Sequence, residues 1–307
     1  MQSAAHGRHF FCLNSACQFH RKLIELSQVH QRSENMDLNH FSVEKLSEHL
    51  YRIVDALDVA CYLVVGREKA CLLDTCTGVG NLRMVVESIT GLPLTVILSH
   101  AHMDHCGSCG WFEKVWMCHS ELPILKIHRD IAYRCSFFNG HLGLSLQEAD
   151  FLEVPETGYL DIPEQMTLDL GGVTVELIHA VGHTPGMICP LIPEDRALII
   201  GDACDDNVLL FDPFSSSVGT YMENLQKLKA LDVQYDSVYG NHGVFHFPKI
   251  LIDNVLECCE KILRHEDDHI PTSMLGAQMY SCCPIGPDTL RLDGKPGNIL
   301  YSDEKAK

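Results

Sequence analysis

One stretch of the chain decides the fold, and it reads Leu94-Thr95-Val96-Ile97-Leu98-Ser99-His100-Ala101-His102-Met103-Asp104-His105-Cys106-Gly107. It begins with a short apolar run at 94–98, which is typical of a strand covered on both faces. Four side chains that can bind a metal follow directly: His100, His102, Asp104 and His105. Because side chains alternate along an extended segment, His100 and His102 point to the same side. The stretch therefore predicts a buried strand that ends in a metal site.

The density of these side chains favours metal binding over chance. Two imidazoles could hold one metal, while Asp104 and His105, where the chain turns, could offer a carboxylate and an imidazole to a second. The alternative is a polar loop whose histidines are merely solvated. Four potential ligands within six residues make that alternative much the weaker one.

Three more potential ligands each follow an apolar run: His183 after 173–178, Asp202 after 197–200 and His242 after 236–239. Each has a glycine one or two positions before it, and glycine permits the close backbone approach that a rigid site needs. Taken singly, a histidine after a strand is more often structural. Taken together with 100–105, the four strand ends predict one site at the edge of a sheet.

The rest of the chain alternates strands with helices. Further strands are predicted at 50–54, 59–65, 70–75, 166–170, 173–178, 197–200 and 236–239, and helices at 80–90, at 218–231 and after Pro248. Residues 276–302 predict a turn-rich hairpin or flap. Strands followed by helices on both sides place sheets at the centre and helices outside, in the α/β class. No linker divides residues 36–307, which we take as one domain.

The first 35 residues lack a clear strand alternation, and we interpret 1–35 as an extension that is disordered or outside the core. Cys12, Cys17 and His20 could form a small zinc knuckle there. Three candidate ligands at loose spacing are weak evidence, so a frayed tail or a lone helix is the preferred interpretation.

The charge and the cysteines limit the partners and the compartment. Among 307 residues, 41 acidic side chains outnumber 23 basic ones, and the formal charge of −18 repels phosphate backbones. No apolar stretch approaches the roughly 18–20 residues that span a bilayer. We therefore expect neither a nucleic-acid nor a membrane partner. Fifteen scattered cysteines suit a reducing compartment, so the expected location is the cytoplasm.

The order of the ligands resembles that of a known family. The His-x-His-x-Asp-His motif at 100–105, followed in turn by His183, Asp202 and His242, resembles the metallo-β-lactamase superfamily of hydrolases over about residues 45–247. The resemblance implies an αββα sandwich with two metals at the sheet edge. It also implies that the first metal is held by His100, His102 and His183 and the second by Asp104, His105 and His242, with Asp202 bridging them and Asp74 supporting the ligands from behind.

Two departures from the family pattern leave every ligand in place. Gly107-Ser108 stands where a glycine pair is usual, and Asp74-Thr75-Cys76 stands where the family has Asp-Thr-Gly. Cys106 and Cys109 form a Cys-x-x-Cys beside the motif. We favour packing over a redox role for these two thiols, because the expected fold differs from the one that the redox motif needs.

The implied donor set suits two Zn²⁺ ions, although iron or manganese could occupy the same ligands. Two such metals would share a hydroxide whose pKa is lowered toward about 7. This hydroxide would attack an acyl carbon, and Asp104 would orient it and pass a proton to the leaving group. A glutamate at position 102 would indicate an oxygen-reducing iron site, whereas His102 indicates hydrolysis.

The bridging carboxylate resembles the glyoxalase II and lactonase branches, so we expect hydrolysis of a small thioester, ester or lactone. Asp205-Asp206-Asn207 stands where lactonases carry a tyrosine, and the substrate-binding residues of glutathione thioesterases find no match. Hydrolysis of β-lactams would be at most a side activity. Phosphodiester hydrolysis, and a metal-bound sensor or binding protein without turnover, are the alternatives.

Side chains that could border the metals and contact a small-molecule substrate are Asn207, Phe211, His141 and His246, each of which could equally be structural. Other histidines, among them His128, are taken as core or surface residues. The chain could act alone or as a homodimer.

Overall fold

Six strands form a first sheet in the order of the chain, in a computed structural model that describes Asp37 and residues 39–307. They are β1 (Ser42–Lys45), β2 (Leu50–Val54), β3 (Ala60–Val65), β4 (Ala70–Leu73), β5 (Leu94–Ile97) and β6 (Val115–Trp116). The strands β1 to β4 pair antiparallel, whereas β5 runs parallel to β4 and to β6. The predictions for residues 1–35, including Cys12, Cys17 and His20, lie outside the described residues.

The second sheet also has six strands. They are β7 (Met166–Asp169), β8 (Thr174–His179), β9 (Ile188–Ile192), β10 (Ala197–Ile199), β12 (Ser237–Tyr239) and β13 (His246–Phe247), while β11 (Val208–Leu210) between them belongs to a third sheet. Their order in the sheet is β13-β12-β10-β9-β8-β7. Because β10 and β12 run parallel, the residues that follow them come out at the same edge.

Alternate side chains join the two sheets into a sandwich. Tyr62 and Val64 of β3 point into the core between the sheets, whereas Cys61 and Leu63 point to the outer side. In β10, Ile199 likewise faces the core that both sheets share. This two-sided burial explains why these strands are apolar runs rather than alternating patterns.

Helices cover the outer faces of both sheets. They are α1 (Leu82–Ile89), α2 (Met103–Cys106), α3 (Leu122–His128), α4 (Ile131–Leu142), α5 (Val218–Ala230) and α6 (Ile250–Arg264). The helices α1 and α3 pack on the first sheet, and α5 and α6 pack on the second. The four layers confirm the predicted αββα sandwich.

The sequence pattern predicts neither α3 nor α4 nor β9. The strand β9 contains Pro190, which cannot donate a ladder hydrogen bond and so disfavours a strand assignment. It is nevertheless paired on both sides, with Pro190 opposite Leu177 of β8.

A third, smaller sheet packs against the second half of the chain. It contains β11, β14 (Ile270–Met274), β15 (Ala277–Ser281) and β16 (Ile299–Tyr301), in the order β11-β16-β15-β14. The hairpin or flap predicted for 276–302 is therefore partly sheet, and its turn-rich portion is 284–298. No helix in the described part of the chain combines the length and the apolar character needed to cross a bilayer.

Candidate metal centre

The first donor group lies beyond the ends of β5, β8 and β10. His102 Nδ1 is 3.0 Å from both His100 Nε2 and His183 Nε2. Asp202 Oδ2 lies 3.9 Å from His100 Nε2 and 3.7 Å from His183 Nε2. These four donor atoms lie within 4.8 Å of one another, so they face a common point.

The second donor group shares Asp202 with the first. His105 Nε2 and His242 Nε2 are 3.2 Å apart, and each lies 3.4 Å from Asp202 Oδ1. Asp104 Oδ2 completes the group at 3.4 Å from His242 Nε2. The two oxygens of Asp202 therefore face different groups, which is the arrangement of a bridging carboxylate.

Both groups have the spacing that a zinc-sized ion requires. Ligands at metal–nitrogen distances of about 2.0–2.1 Å lie about 3.3–3.4 Å apart around a tetrahedral ion. The separations quoted above are 3.0–3.4 Å in the second group and between the imidazoles of the first, and 3.7–3.9 Å from Asp202 Oδ2 to His183 and His100. Among the described residues, Asp202 Oδ1 is buried without a hydrogen-bond partner, which is costly unless a cation lies beside it. The structure thus brings all seven predicted ligands together, and their role as ligands stays a prediction.

Burial and neighbouring charge give the histidines of the two groups opposite protonation. Burial lowers the pKa of His100 and of His102, and the imidazoles beside them act in the same direction. Burial also opposes the charged form of His105 and His242, but the neighbouring carboxylates, Asp202 foremost, outweigh it, raising the pKa of His105 and bringing that of His242 to about 9. His100 and His102 are therefore held neutral, whereas His105 and His242 hold protons that a metal must displace.

Asp74, directly after β4, lies behind both groups. Its Oδ2 is 2.9 Å from His105 Nδ1, and Ser99 donates to its two oxygens from the backbone N–H at 2.7 Å and from Oγ at 2.8 Å. Ser99 Oγ in turn lies 3.0 Å from His100 Nδ1. Such contacts fix the orientation of a ligating imidazole. The structure places Asp74 where the sequence predicted a supporting carboxylate.

The sequence profile described as the metallo-beta-lactamase superfamily matches residues 54–235, more than half of the chain. The chain belongs to this superfamily. Its members are largely hydrolases, and the chain is an enzyme of that class. The predicted family, fold and class of enzyme are therefore confirmed.

Relatives of this superfamily member are about a quarter identical to it over the aligned residues. A beta-lactamase-like protein 2 homolog from Caenorhabditis elegans is 25% identical over 236 residues, which are 73% of this chain and 69% of the relative. The human protein named acyl-coenzyme A thioesterase MBLAC2 is 24% identical over 188 residues, 52% of this chain and 64% of its own length.

A solved structure supports the same fold. A metallo-beta-lactamase family protein from Thermus thermophilus superposes with a TM-score of 0.53 at 20% identity, over 72% of this chain and 82% of that one. At this identity the likeness shows the fold of the superfamily and nothing about the substrate.

Glycine is required at two positions that directly precede candidate ligands, Gly182 and Gly201. A Cβ atom on Gly182 would lie 2.3 Å from Tyr221 Cδ2, so no larger residue fits before His183. Gly201, directly before Asp202, has a φ of 51°, in the left-handed region that favours glycine. Cys76 stands where the superfamily pattern has glycine, and its φ of 53° is unfavourable for a side chain.

Glu121 joins two of the ligand loops, although nothing in the sequence pattern singles it out. Its buried carboxylate accepts hydrogen bonds from the backbone N–H groups of Ala101 at 2.9 Å and Gly186 at 2.6 Å. These residues lie in the loops that carry the first histidines and His183. Burial raises the pKa of Glu121, while its hydrogen bonds oppose that shift.

His128 packs against the site rather than elsewhere in the core or on the surface. Its ring centroid is 4.7 Å from that of His102, and its Nδ1 accepts the backbone N–H of Met103 at 3.2 Å. Because Nδ1 is the acceptor, the ring proton of neutral His128 is on Nε2. The missing prediction of α3 explains why this contact could not be foreseen.

The two cysteines beside the motif are buried packing residues. Cys106 Sγ donates to the carbonyl of Ala101 at 3.6 Å, and Cys109 Sγ is 3.3 Å from the Tyr159 hydroxyl. Burial raises the pKa of the Cys109 thiol to about 11 and that of Cys106 as well. Thiols held protonated in this way are poor nucleophiles, which favours packing over redox chemistry.

The predicted substrate residues occupy different surroundings. Asn207 donates to the carbonyl of Thr289 at 2.8 Å, His141 Nδ1 lies 2.8 Å from the carbonyl of Phe137, and the ring of exposed His246 stacks on Tyr239. Within the described part of the chain, neither these three nor Phe211 has a hydrogen bond or ring contact to the seven candidate ligands. Their substrate contacts stay a prediction.

Proposed function

We propose that the protein is a binuclear zinc hydrolase that cleaves a small acyl thioester. The observation that carries the proposal is the pair of donor groups that share Asp202. Five imidazoles and two carboxylates form a donor set that suits zinc, and neither group contains a thiolate. The first metal would be held by His100, His102 and His183, the second by Asp104, His105 and His242, and both by Asp202.

Two zinc ions held by these residues would supply a hydroxide near neutral pH and would polarise the acyl oxygen. The chain's own side chains supply orientation and proton handling. Asp104 is a quarter exposed, so one of its oxygens can accept a hydrogen bond from the attacking oxygen while the other faces His242. After attack, Asp104 can carry the released proton to the leaving group.

A thioester suits this site because its leaving group needs little protonation. A thiol has a pKa of about 8.5, far below that of an alcohol, so a thiolate leaves readily without a strong acid beside it. Asp104 is the partly exposed carboxylate of the second group, so it is the side chain that can deliver a proton to the leaving thiolate. The named activity of the human relative, acyl-coenzyme A thioesterase, supports the same class of substrate.

The test compares acyl groups on different leaving groups. Zinc-loaded protein is assayed with acetyl, octanoyl and palmitoyl coenzyme A, with matched oxygen esters, with an acyl lactone and with bis(4-nitrophenyl) phosphate. We expect kcat/KM to be highest for a thioester and to fall in Asp104→Asn. The matched control Asp169→Asn changes an exposed carboxylate that accepts the N–H of Gly171, a bond that asparagine can keep.

Three outcomes would overturn the proposal. Turnover of the phosphodiester alone would assign the site to in-line displacement at phosphorus. Full metal loading without turnover of any substrate would favour a sensor or binding protein. Fewer than about one metal per chain after supplementation would remove the ligand assignment itself.

A further inference from the structure

Outside the metal centre, three cysteine sulfurs meet between α6 and the end of β15. Cys258 lies on α6, and Cys282 and Cys283 directly follow β15. Cys283 Sγ is 3.9 Å from Cys258 Sγ and 3.9 Å from Cys282 Sγ. All three sulfurs lie within 4.8 Å of one another, and all three side chains are buried.

This spacing matches three sulfur ligands around one ion. With metal–sulfur bonds of about 2.3 Å, three sulfurs in a trigonal plane lie about 4.0 Å apart. A disulfide requires a sulfur–sulfur distance of about 2.05 Å. Oxidation would therefore have to draw two of these side chains together substantially, whereas a metal fits where they stand.

A buried guanidinium beside the sulfurs favours the thiolate form. Arg291 Nη1 lies 3.7 Å from Cys258 Sγ, and the arginine side chain is almost fully buried. A positive charge beside a sulfur stabilises its thiolate form. The thiolate is the form that binds metals.

We propose that Cys258, Cys282 and Cys283 bind one soft monovalent cation, Cu⁺, in a trigonal three-sulfur site. Thiolates select Cu⁺ and zinc among biological metals. A structural zinc ion almost always takes four ligands, and the described part of the chain brings only these three donors together here. No electron is transferred on binding: Cu⁺ takes the place of thiol protons, which pass to solvent.

An ion in this site would fasten the turn-rich segment 284–298 at both ends. The backbone N–H of Cys283 donates to Asn298 Oδ1 at 3.1 Å, and Asn298 Nδ2 donates to Asn207 Oδ1 at 3.3 Å. Asn207 follows the loop of Asp202 in the chain, so these hydrogen bonds connect the segment after Asp202 to the three-sulfur site. It contains none of the hydrolase ligands, and its existence does not depend on the proposed hydrolysis.

The experiment measures Cu⁺ binding directly. The zinc-loaded full chain is titrated anaerobically with Cu⁺ under excess reductant, in competition with a chromophoric Cu⁺ chelator. We expect one Cu⁺ per chain and a near-ultraviolet thiolate-to-copper absorption. Cys283→Ser should weaken binding by more than the roughly 100-fold that loss of a supporting residue costs a metal site. Cys71→Ser, a buried cysteine in β4 outside the cluster, should bind as the parent protein does.

X-ray absorption of the copper-loaded parent protein decides the matter even if Cys283→Ser does not fold. Three sulfur neighbours at about 2.3 Å are expected. A shell of nitrogen and oxygen ligands would overturn the proposal, as would unchanged affinity in a folded Cys283→Ser protein. A Cys258–Cys283 disulfide that persists under the reductant would overturn it too, and mass spectrometry of alkylated peptides would detect it.

Discussion

The two donor groups of the metal centre share one carboxylate but differ in burial and in charge. In the first group, His100 is fully buried and His183 is 6% exposed, and burial keeps the pKa of His100 and His102 low. In the second group, Asp104 is 26% exposed and His242 is 33% exposed. The pKa values of His105 and His242 are raised there, because both rings face Asp202.

This difference shows how one site can hold one metal tightly and keep a second metal accessible to solvent and substrate. A buried set of neutral imidazoles is ready to bind a metal and costs little to fill. A set that holds protons binds metal less tightly, and although His105 is fully buried, Asp104 and His242 are partly exposed and meet solvent and substrate. We infer that the first group is the resident site and that the second is the exchangeable one, where the chemistry faces outward.

Asp202→Asn should have the largest effect, because it removes the one carboxylate that both groups share. Two shared metals supply several kcal/mol of transition-state stabilisation, and about 4 kcal/mol corresponds to a thousandfold. We expect kcat/KM to fall by roughly a thousandfold and the metal content to drop below that of the parent protein. Metal analysis and thioester kinetics measure both.

Asp169→Asn serves as the control for the loss of one carboxylate and should behave like the parent protein. An Asp202→Asn protein that kept two metals and most of its activity would remove the shared carboxylate from the comparison altogether.

Single histidine substitutions should distinguish the two donor groups by the metal that each variant loses. His242→Ala should lose only the exchangeable metal, whereas His102→Ala should weaken the resident one, so the two variants should differ in metal content after dialysis. Both should lower kcat/KM by roughly a hundredfold, because the one remaining metal retains part of the electrostatic stabilisation. His40→Ala, an exposed histidine just before β1, is the control. Equal metal loss in the two variants would show that the groups are not distinct.

The sequence predicts those parts of the site that lie within short contiguous segments. The first four candidate ligands lie within the contiguous segment 100–105, and each further ligand follows its own apolar strand. Strand burial produces a continuous apolar run, and that run can be recognised without knowing its neighbours. The central sheets and the convergence of the seven candidate ligands could therefore be predicted from the residues, whereas the αββα sandwich came from the resemblance to the superfamily.

The parts that sequence does not predict depend on contacts between distant segments. Glu121 bonds to backbone at Ala101 and Gly186, 20 and 65 positions away, and no spacing rule connects them. The strand β9 is missed because it contains Pro190, and proline is disfavoured inside a paired strand. The three-sulfur cluster likewise joins Cys258 to residues 24 and 25 positions later.

Asp74→Asn should have a smaller effect that falls unevenly on the groups. Asp74 contacts His105 directly and reaches His100 only through Ser99, so the second group should lose more. Removing a residue that orients a ligand costs about 10–100-fold in metal affinity or activity. Competition with a chelator at each of the two binding steps measures the split. An equal loss at both steps would contradict the ranking.

The most discriminating prediction is the pH dependence of metal binding. A histidine whose pKa is raised to about 9 is protonated at neutral pH, so each metal that binds it must release that proton. Release of the His242 proton alone should weaken affinity at the second step about tenfold for each unit that the pH falls below 9, and release of a proton from His105 adds to this slope. The first step should stay nearly flat between pH 7 and 8, because His100 and His102 have pKa values below the ordinary one and are already neutral.

In the metal-free protein the sign of the same linkage is opposite. A raised histidine pKa stabilises the fold below the unfolded value of about 6.5, and this stability is lost as the pH rises through about 9. Metal-free protein should thus become less stable as the pH rises toward 9, over the same range in which its second metal binds more tightly. Chelator competition at pH 6, 7 and 8, beside thermal unfolding of the metal-free form, tests both slopes. Parallel slopes at the two binding steps would mean that the groups do not differ in protonation, and the distinction between a resident and an exchangeable metal would fail.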